Sequence, residues 1–161
     1  MRWIIAILIS TPLFCTAQKR GAVWVFGDSA LVDFSDPSNI ITGNSLIKSR
    51  GSCAAISDAN GNLLFYTGYD TDWMITGAYE MNGEIFNKLH STMANGDSII
   101  MMGWYHEVVI IPFPGTSDKY FVFSILVTGV NLWGIFYSIV DLSANGGLGA
   151  VIQKNVQLPN Y

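Results

Sequence analysis

The sequence predicts an all-β chain of antiparallel four-stranded sheets, two to three blades of a partial β-propeller, and three observations predict it. Short β-branched and aromatic runs alternate with turn signals from Gly21 onward, with no amphipathic helical period among them. Asn-Gly pairs at 60–61, 82–83 and 95–96 interrupt the apolar runs where tight reversals are expected. A plan also repeats. AAISDANGNLLFYT and VIIPFPGTSDKYFVFS each run apolar strand, Asp- and Gly-bearing turn, aromatic-rich strand, and they recur after roughly fifty residues, near the roughly 40–50 of propeller blades.

The elements follow in order. In MRWIIAILISTPLFCTAQ, Arg2 precedes an apolar run from Trp3 to Phe14, and small Cys15-Thr16-Ala17 lead into Gln18, the layout of a secretory signal peptide cut after Ala17. The run is shorter than the roughly 20 residues of a bilayer span. A bulky Phe14 ahead of Cys15 argues against lipid attachment. Residues 1–17 are therefore expected to be removed, 18–161 to be exported, and the mature chain not to insert in a membrane.

Loss of Arg2 makes the formal net charge, −4 for the whole chain, one unit more negative. Such a surface does not favour nucleic acid. Cys53 then stands alone, which excludes an internal disulfide and fits a small packing residue among apolar neighbours.

AVWVF (22–26) is the first strand, followed by a polar loop around Asp36-Pro37-Ser38-Asn39. SCAAIS (52–57) and NLLFYT (62–67) flank Asp58-Ala59-Asn60-Gly61 as a hairpin. GAYEM (77–81) and EIFNKL (84–89) form a looser region. Then HEVVIIP (106–112), KYFVFSIL (119–126), WGIFYSIVDL (133–142) and AVIQKNVQL (150–158) read as four consecutive strands of an up-and-down sheet. FPGTSD (113–118) and the glycine-rich SANGGLG (143–149) supply turns. Closed propellers have 4–8 blades, more than this length supplies. Open apolar faces and strand edges would result. The domain at 18–161 is thus expected to be the first blades of a longer protein, with homo-oligomerisation as the alternative.

Candidate chemistry is sparse. Gly27-Asp28-Ser29 after a strand resembles the nucleophile of a GDSL-type esterase. However, Asn87 and Gly103 stand three residues before His90 and His106, so neither histidine completes an Asp-x-x-His block. Ser29 is read as a turn residue. Asp70 and Asp72 could pair for glycosidase chemistry, but read as exposed loop acids beside Trp73. Asp58 to Asn62 offers oxygen ligands in calcium-loop style without the downstream acid, and reads as a turn. His90 and His106 lack metal partners at helix or hairpin spacing, so no metal or cofactor is expected. Trp73, Trp104, Tyr105 and Trp133 are aromatic enough to stack on sugars or grip a protein. If a binding surface exists, it is expected at Trp73 and at Trp104-Tyr105-His106.

WVFGDSALVDFSD, GSCAAISDANGNLLFYTG, EIFNKLHSTMANG, EVVIIPFPGTSDKYFVFS and YSIVDLSANGGLGAV together resemble the N-terminal propeller-like region of secreted Bacteroidota proteins associated with gliding motility or carried by type IX secretion. Trp24, Phe26, Gly27, Asp33, Phe34, Cys53, Ile56 to Asp58, Gly61, Leu63 to Thr67, Asn87, Lys88, His90, Met93, Asn95, Gly96, Asp141 and Asn145 to Gly149 fall on that pattern. The segment from Gly68 to Gly83 is longer than the usual connection, and the later blades and sorting domains of such proteins are missing. The resemblance implies an exported role at the cell surface and transfers no catalytic residue. The expectation is a non-enzymatic scaffold or binding module for a surface protein or glycan, linked to adhesion or gliding. The alternatives are an extracellular hydrolase using Ser29 or Asp70 and Asp72, and a non-functional truncated fragment.

Overall fold

A computed structural model describes residues 18–49, 51–69, 83–103, 105–126 and 133–159. The signal segment, Asp70, Asp72, Trp73, the GAYEM strand and Trp104 lie outside them. Among the described residues, no helix is long and apolar enough to cross a membrane.

The chain is all-β. Its strands are β1 (Val23–Phe26), β2 (Asp28–Asp33), β3 (Ile41–Lys48), β4 (Cys53–Ser57), β5 (Leu63–Tyr69), β6 (Gly83–Asn87), β7 (Val108–Pro112), β8 (Lys119–Leu126), β9 (Gly134–Asp141) and β10 (Ala150–Gln157). They form three antiparallel sheets taken consecutively from the chain: β1-β2-β3, β4-β5-β6 and β7-β8-β9-β10. The up-and-down sheet read from residues 106–158 is present as the third. The two halves of the sequence repeat, β4–β5 and β7–β8, are the first two strands of successive sheets.

Two corrections follow. Among the described residues only the third sheet has the four strands expected of each, the other two have three, and no closed barrel or propeller is found. In the first sheet, four residues separate Lys48 from Cys53, which leaves no chain for another strand after β3. In the second, the outer edge of β6 is taken by an irregular strap. Ile85 and Gly83 donate their N–H groups to Gly96 O (2.8 Å) and Ile99 O (3.0 Å), and Met93 and Ile99 donate back to Ile85 O and Gly83 O (2.8 Å each). The second correction is that β2 and β3 flank the loop around residues 36–39, in stretches to which the sequence reading assigns no strand.

Turn chemistry explains the reversals. Phe26 pairs with Ala30, so Gly27-Asp28-Ser29 closes the first hairpin, with Gly27 at φ 60° and Ser29 at φ 64°. In the second hairpin the Asp58 carboxylate accepts N–H bonds from Asn60 (2.8 Å) and Asn62 (2.9 Å), while Gly61 adopts φ 99°. A Cβ on Gly61 would stand 2.9 Å from Ser35 Cβ, so both conformation and space require glycine there. Asp141 repeats the device by accepting from Ser143 N (2.9 Å) and Oγ (2.6 Å).

The sheets stack in chain order. Val25, Leu31 and Ile47 of the first pack on Tyr66, Phe86 and Ala55 of the second. The opposite face of the second, with Ile56, Phe65 and Ile85, packs on Val108, Tyr120, Val122, Val140 and Val151 of the third. The middle sheet is thus covered on both faces. Phe65 is fully buried and meets Tyr120 edge-on, centroids 5.4 Å apart. Tyr66 Oη ties the first two sheets together, accepting from Leu46 N at 3.2 Å and pairing with His90 Nδ1 at 3.0 Å.

The strap joins the last two sheets. Val151 N donates to Ala94 O at 2.9 Å, and the Asn95 side chain donates to Val151 O at 2.9 Å. Asn155, at φ 58° within β10, donates its side-chain amide to Ser98 O and accepts from Ile100 N, both at 2.9 Å. These bonds accompany two register shifts in β10, which break the even alternation read from AVIQKNVQL.

Candidate functional site: a groove where the first strands meet

Each sheet begins with its most apolar short strand, and those three strands lie side by side, with β4 between β1 and β7. Their neighbouring edges leave a groove of about 620 Å³, lined by Val23 to Phe26, Cys53 to Ala55, Val108 to Ile110, Gly21, Gly51 and His106. Its surface is largely aliphatic and aromatic. Trp24 supplies the largest exposed ring, 58% accessible, and Phe26 is 44% accessible. The indole is held in place, since Nε1 donates to Gly21 O at 2.9 Å and the ring meets Phe34 edge-on at 5.8 Å. A large fixed aromatic face presented to solvent loses little rotamer freedom on binding.

The chemistry-bearing members are His106 and Cys53. Ser52 is fully buried and pins the approach to β7, its Oγ donating to Tyr105 O at 2.5 Å and accepting from Glu107 N at 3.3 Å. That fixes His106 at the groove and leaves Tyr105 exposed. Cys53 is half-buried, and its burial pushes the thiol pKa up, which opposes thiolate chemistry. Glu107, one residue before β7, is buried at 6% exposure, and neither carboxylate oxygen has a hydrogen-bond partner among the described residues. Burial raises its pKa.

Of the residues singled out in the sequence, His106 lines this groove, Tyr105 stands beside it in the chain, and Trp73 and Trp104 lie outside the described residues. Trp133 is exposed and lines no part of the groove; its carbonyl accepts from the Gln157 side chain at 2.8 Å. Ser29 sits in a hairpin turn, and the His90 ring is engaged by Tyr66, so the described residues do not assemble a serine–histidine pair around it. The Asp58 carboxylate is occupied by its own turn, its pKa lowered first by the Asn62 side-chain bond and then by backbone N–H groups. Among the described residues no three His, Cys, Asp or Glu side chains group to hold a metal.

Sequence reading missed the groove itself. Trp24 and Cys53 were visible as pattern and packing residues. Their convergence, however, depends on how three separate sheets meet, which no local signal carries. The usable hint was that AVWVF, CAAIS and VVIIP each open a meander. No protein-family model, curated protein or solved structure matches this chain.

Proposed function

We propose that this chain is a non-enzymatic, exported binding or scaffolding module built as part of a β-propeller, and that the groove between β1, β4 and β7 is its contact for a surface protein or glycan. The single observation that carries the reading is that groove: three successive meanders bring their first strands together around it, as the innermost strands of propeller blades surround an axis. The fixed, exposed Trp24 ring and the neighbouring His106 give it an apolar stacking surface beside a polar group, the combination that small-molecule and glycan sites use. Export rests on the leading apolar segment, and a role at the surface of a Bacteroidota-like cell, in adhesion or gliding, on the motif resemblance.

The test is binding of residues 18–161 to arrays of cell-envelope glycans and surface-protein peptides, beside Trp24→Ala and His106→Ala. Loss of about tenfold or more in affinity in Trp24→Ala, with the fold retained, is the expected result. Binding unchanged in both variants overturns the groove assignment. Ester or glycoside turnover that vanishes in Ser29→Ala, or in Asp70→Ala with Asp72→Ala, would replace the binding reading by hydrolysis.

A further inference from the structure

The third sheet is apolar on both sides, with Val108, Tyr120, Val122 and Val140 in the core and a second apolar set facing out. Directly paired residues of an antiparallel sheet point to the same side. The rows Val108–Ser124–Phe136 and Ile110–Val122–Ser138 therefore share the side that meets the middle sheet. That covered side carries serines, with Ser124 and Ser138 buried. The open side carries Val109–Phe123–Tyr137, Ile111–Phe121–Ile139 and Ile125–Ile135. Val109, Ile111, Ile125 and Ile135 are 48, 43, 39 and 39% accessible. Phe113, Phe121, Phe123 and Tyr137 form a continuous aromatic ladder, with successive centroids 4.6, 5.3 and 6.0 Å apart. These rows hold no charge; the Lys119–Asp141 ion pair stands at their end. A solvated sheet face normally alternates to polar residues, and contiguous apolar patches of this kind mark interfaces.

The first sheet has a counterpart. Its open side carries Trp24–Val32–Thr42 and Phe26–Ala30–Asn44, with the charged pair Asp28 and Lys48 at its end. The two open faces lie on opposite outer sheets of a three-sheet stack whose middle member is already covered.

We infer that the open face of the first sheet and the open face of the third are the two halves of a head-to-tail interface between copies of this chain, and that two copies close on each other. Because the two faces differ, their contact is heterologous, and it ends only if the rotation closes. Two copies supply six sheets, within the 4–8 of closed propellers. The area is sufficient. With strands about 4.8 Å apart and about 3.3 Å of rise per residue, the four-stranded face spans roughly 450 Å² and the three-stranded one roughly 300 Å². Each contact is limited by the smaller face, so the two contacts of a closed pair bury about 600 Å² per partner, the low end of the standard range. In the closed pair the groove becomes an axial channel lined by β1, β4 and β7 of both copies. The inference does not depend on what the groove binds.

The experiment is sedimentation velocity with light scattering on residues 18–161, at low and high salt, for wild type, Thr42→Lys and Ile135→Lys; Thr42 shares the open row of Trp24 but lies outside the groove. Both substituted side chains are exposed, and circular dichroism checks that each variant folds. Wild type is expected at twice the chain mass, insensitive to salt, and each variant alone at half that mass. Mixing the two variants leaves one contact intact and sets the two lysine-bearing faces against each other in the second, so a one-to-one complex weaker than the wild-type dimer is expected. A soluble wild-type monomer would overturn the inference and assign the faces to sheets of another polypeptide. Either variant alone as fully dimeric as wild type, or wild-type species above two copies, would overturn it equally. His106→Ala is expected to keep the dimer mass, so failure of groove binding and failure of association are read separately.

Discussion

Replacing Glu107 by glutamine should make this protein more stable at neutral pH. The side chain is 6% exposed, and neither carboxylate oxygen accepts a hydrogen bond from a described residue. Its backbone is well placed, donating to Ser52 Oγ and accepting from Ile125 N at 3.0 Å, so the strand holds the carboxylate where water cannot reach it. Desolvation raises the folded-state pKa above the ordinary glutamate value of 4.5. A raised pKa in the folded state means that the fold holds the proton more tightly than the unfolded chain does. The stability tied to that proton is complete below the unfolded pKa and is lost as pH rises through the folded one.

At pH 7.5 the wild type therefore carries the cost of a buried unpaired acceptor, of order 1–3 kcal/mol. Glutamine removes the charge but keeps a polar amide in the same place. The expected gain is thus the smaller part, about 1–2 kcal/mol, or about 3–6 °C in Tm for a chain of this size. The assay is thermal and urea unfolding of wild type, Glu107→Gln and Glu107→Leu at pH 4 and pH 7.5. The advantage of the variants should shrink towards pH 4. A Glu107→Gln protein less stable than wild type at pH 7.5 would refute the reasoning, because it would show the carboxylate to be paired.

Three further outcomes follow from the packing. Phe65→Ala removes a fully buried ring from the contact between the second and third sheets and should cost about 3–5 kcal/mol, measured as the urea midpoint at constant slope. Gly96→Ala would place a Cβ 2.8 Å from Ile85 O and 2.9 Å from Met93 O; backbone on both sides cannot give way cheaply, so a loss of about 1–3 kcal/mol is expected in the same assay. Asp58→Ala deletes the acceptor of the second hairpin turn and should cost about 0.5–1 kcal/mol at pH 7. Because the Asp58 pKa is lowered, that contribution is present above the unfolded pKa and fades as pH falls through the folded one, so mutant and wild type should converge in acid.

Residues that carry their own periodicity were legible. KYFVFSIL and WGIFYSIVDL are long, β-branched and aromatic, and they became β8 and β9 with nearly the bounds read from the sequence. Asp58-Ala59-Asn60-Gly61 declared its hairpin because each residue suits a specific position in the turn. By contrast β2, DSALVD, opens on the very Gly-Asp-Ser that suggested a loop, and only its pairing on both sides makes it a central strand. In β3, ITGNSLIK, only Ser45 and Ile47 are buried, too few for an alternation to show. The strap defeated periodicity in another way. Met93, Ile99 and Met101 are buried to 2% or less, but positive φ at Asn95 and Ser98 turns the chain between them. The two-sided apolar character of the third sheet was written in the sequence too, since β8 and β9 are apolar on alternate positions of both phases or nearly so. Which phase faced the core could be decided only by the neighbouring sheet.

The strap between β6 and β7 also sets the order in which the molecule opens. By hydrogen-bonding to β6 on one side and β10 on the other, it fastens the second and third sheets into one cooperative unit. The amides of Ile85, Met93, Ile99 and Val151 should accordingly exchange with deuterium at a common slow rate. The first sheet is joined to the second mainly by one apolar cluster, the Tyr66 hydroxyl and the Ser57 N–H bond to Arg20 O ahead of β1, with β3 at its outer edge. It is the piece that detaches by sub-global unfolding while the rest stays native. A protease therefore meets this chain first at β3, long before the strap yields.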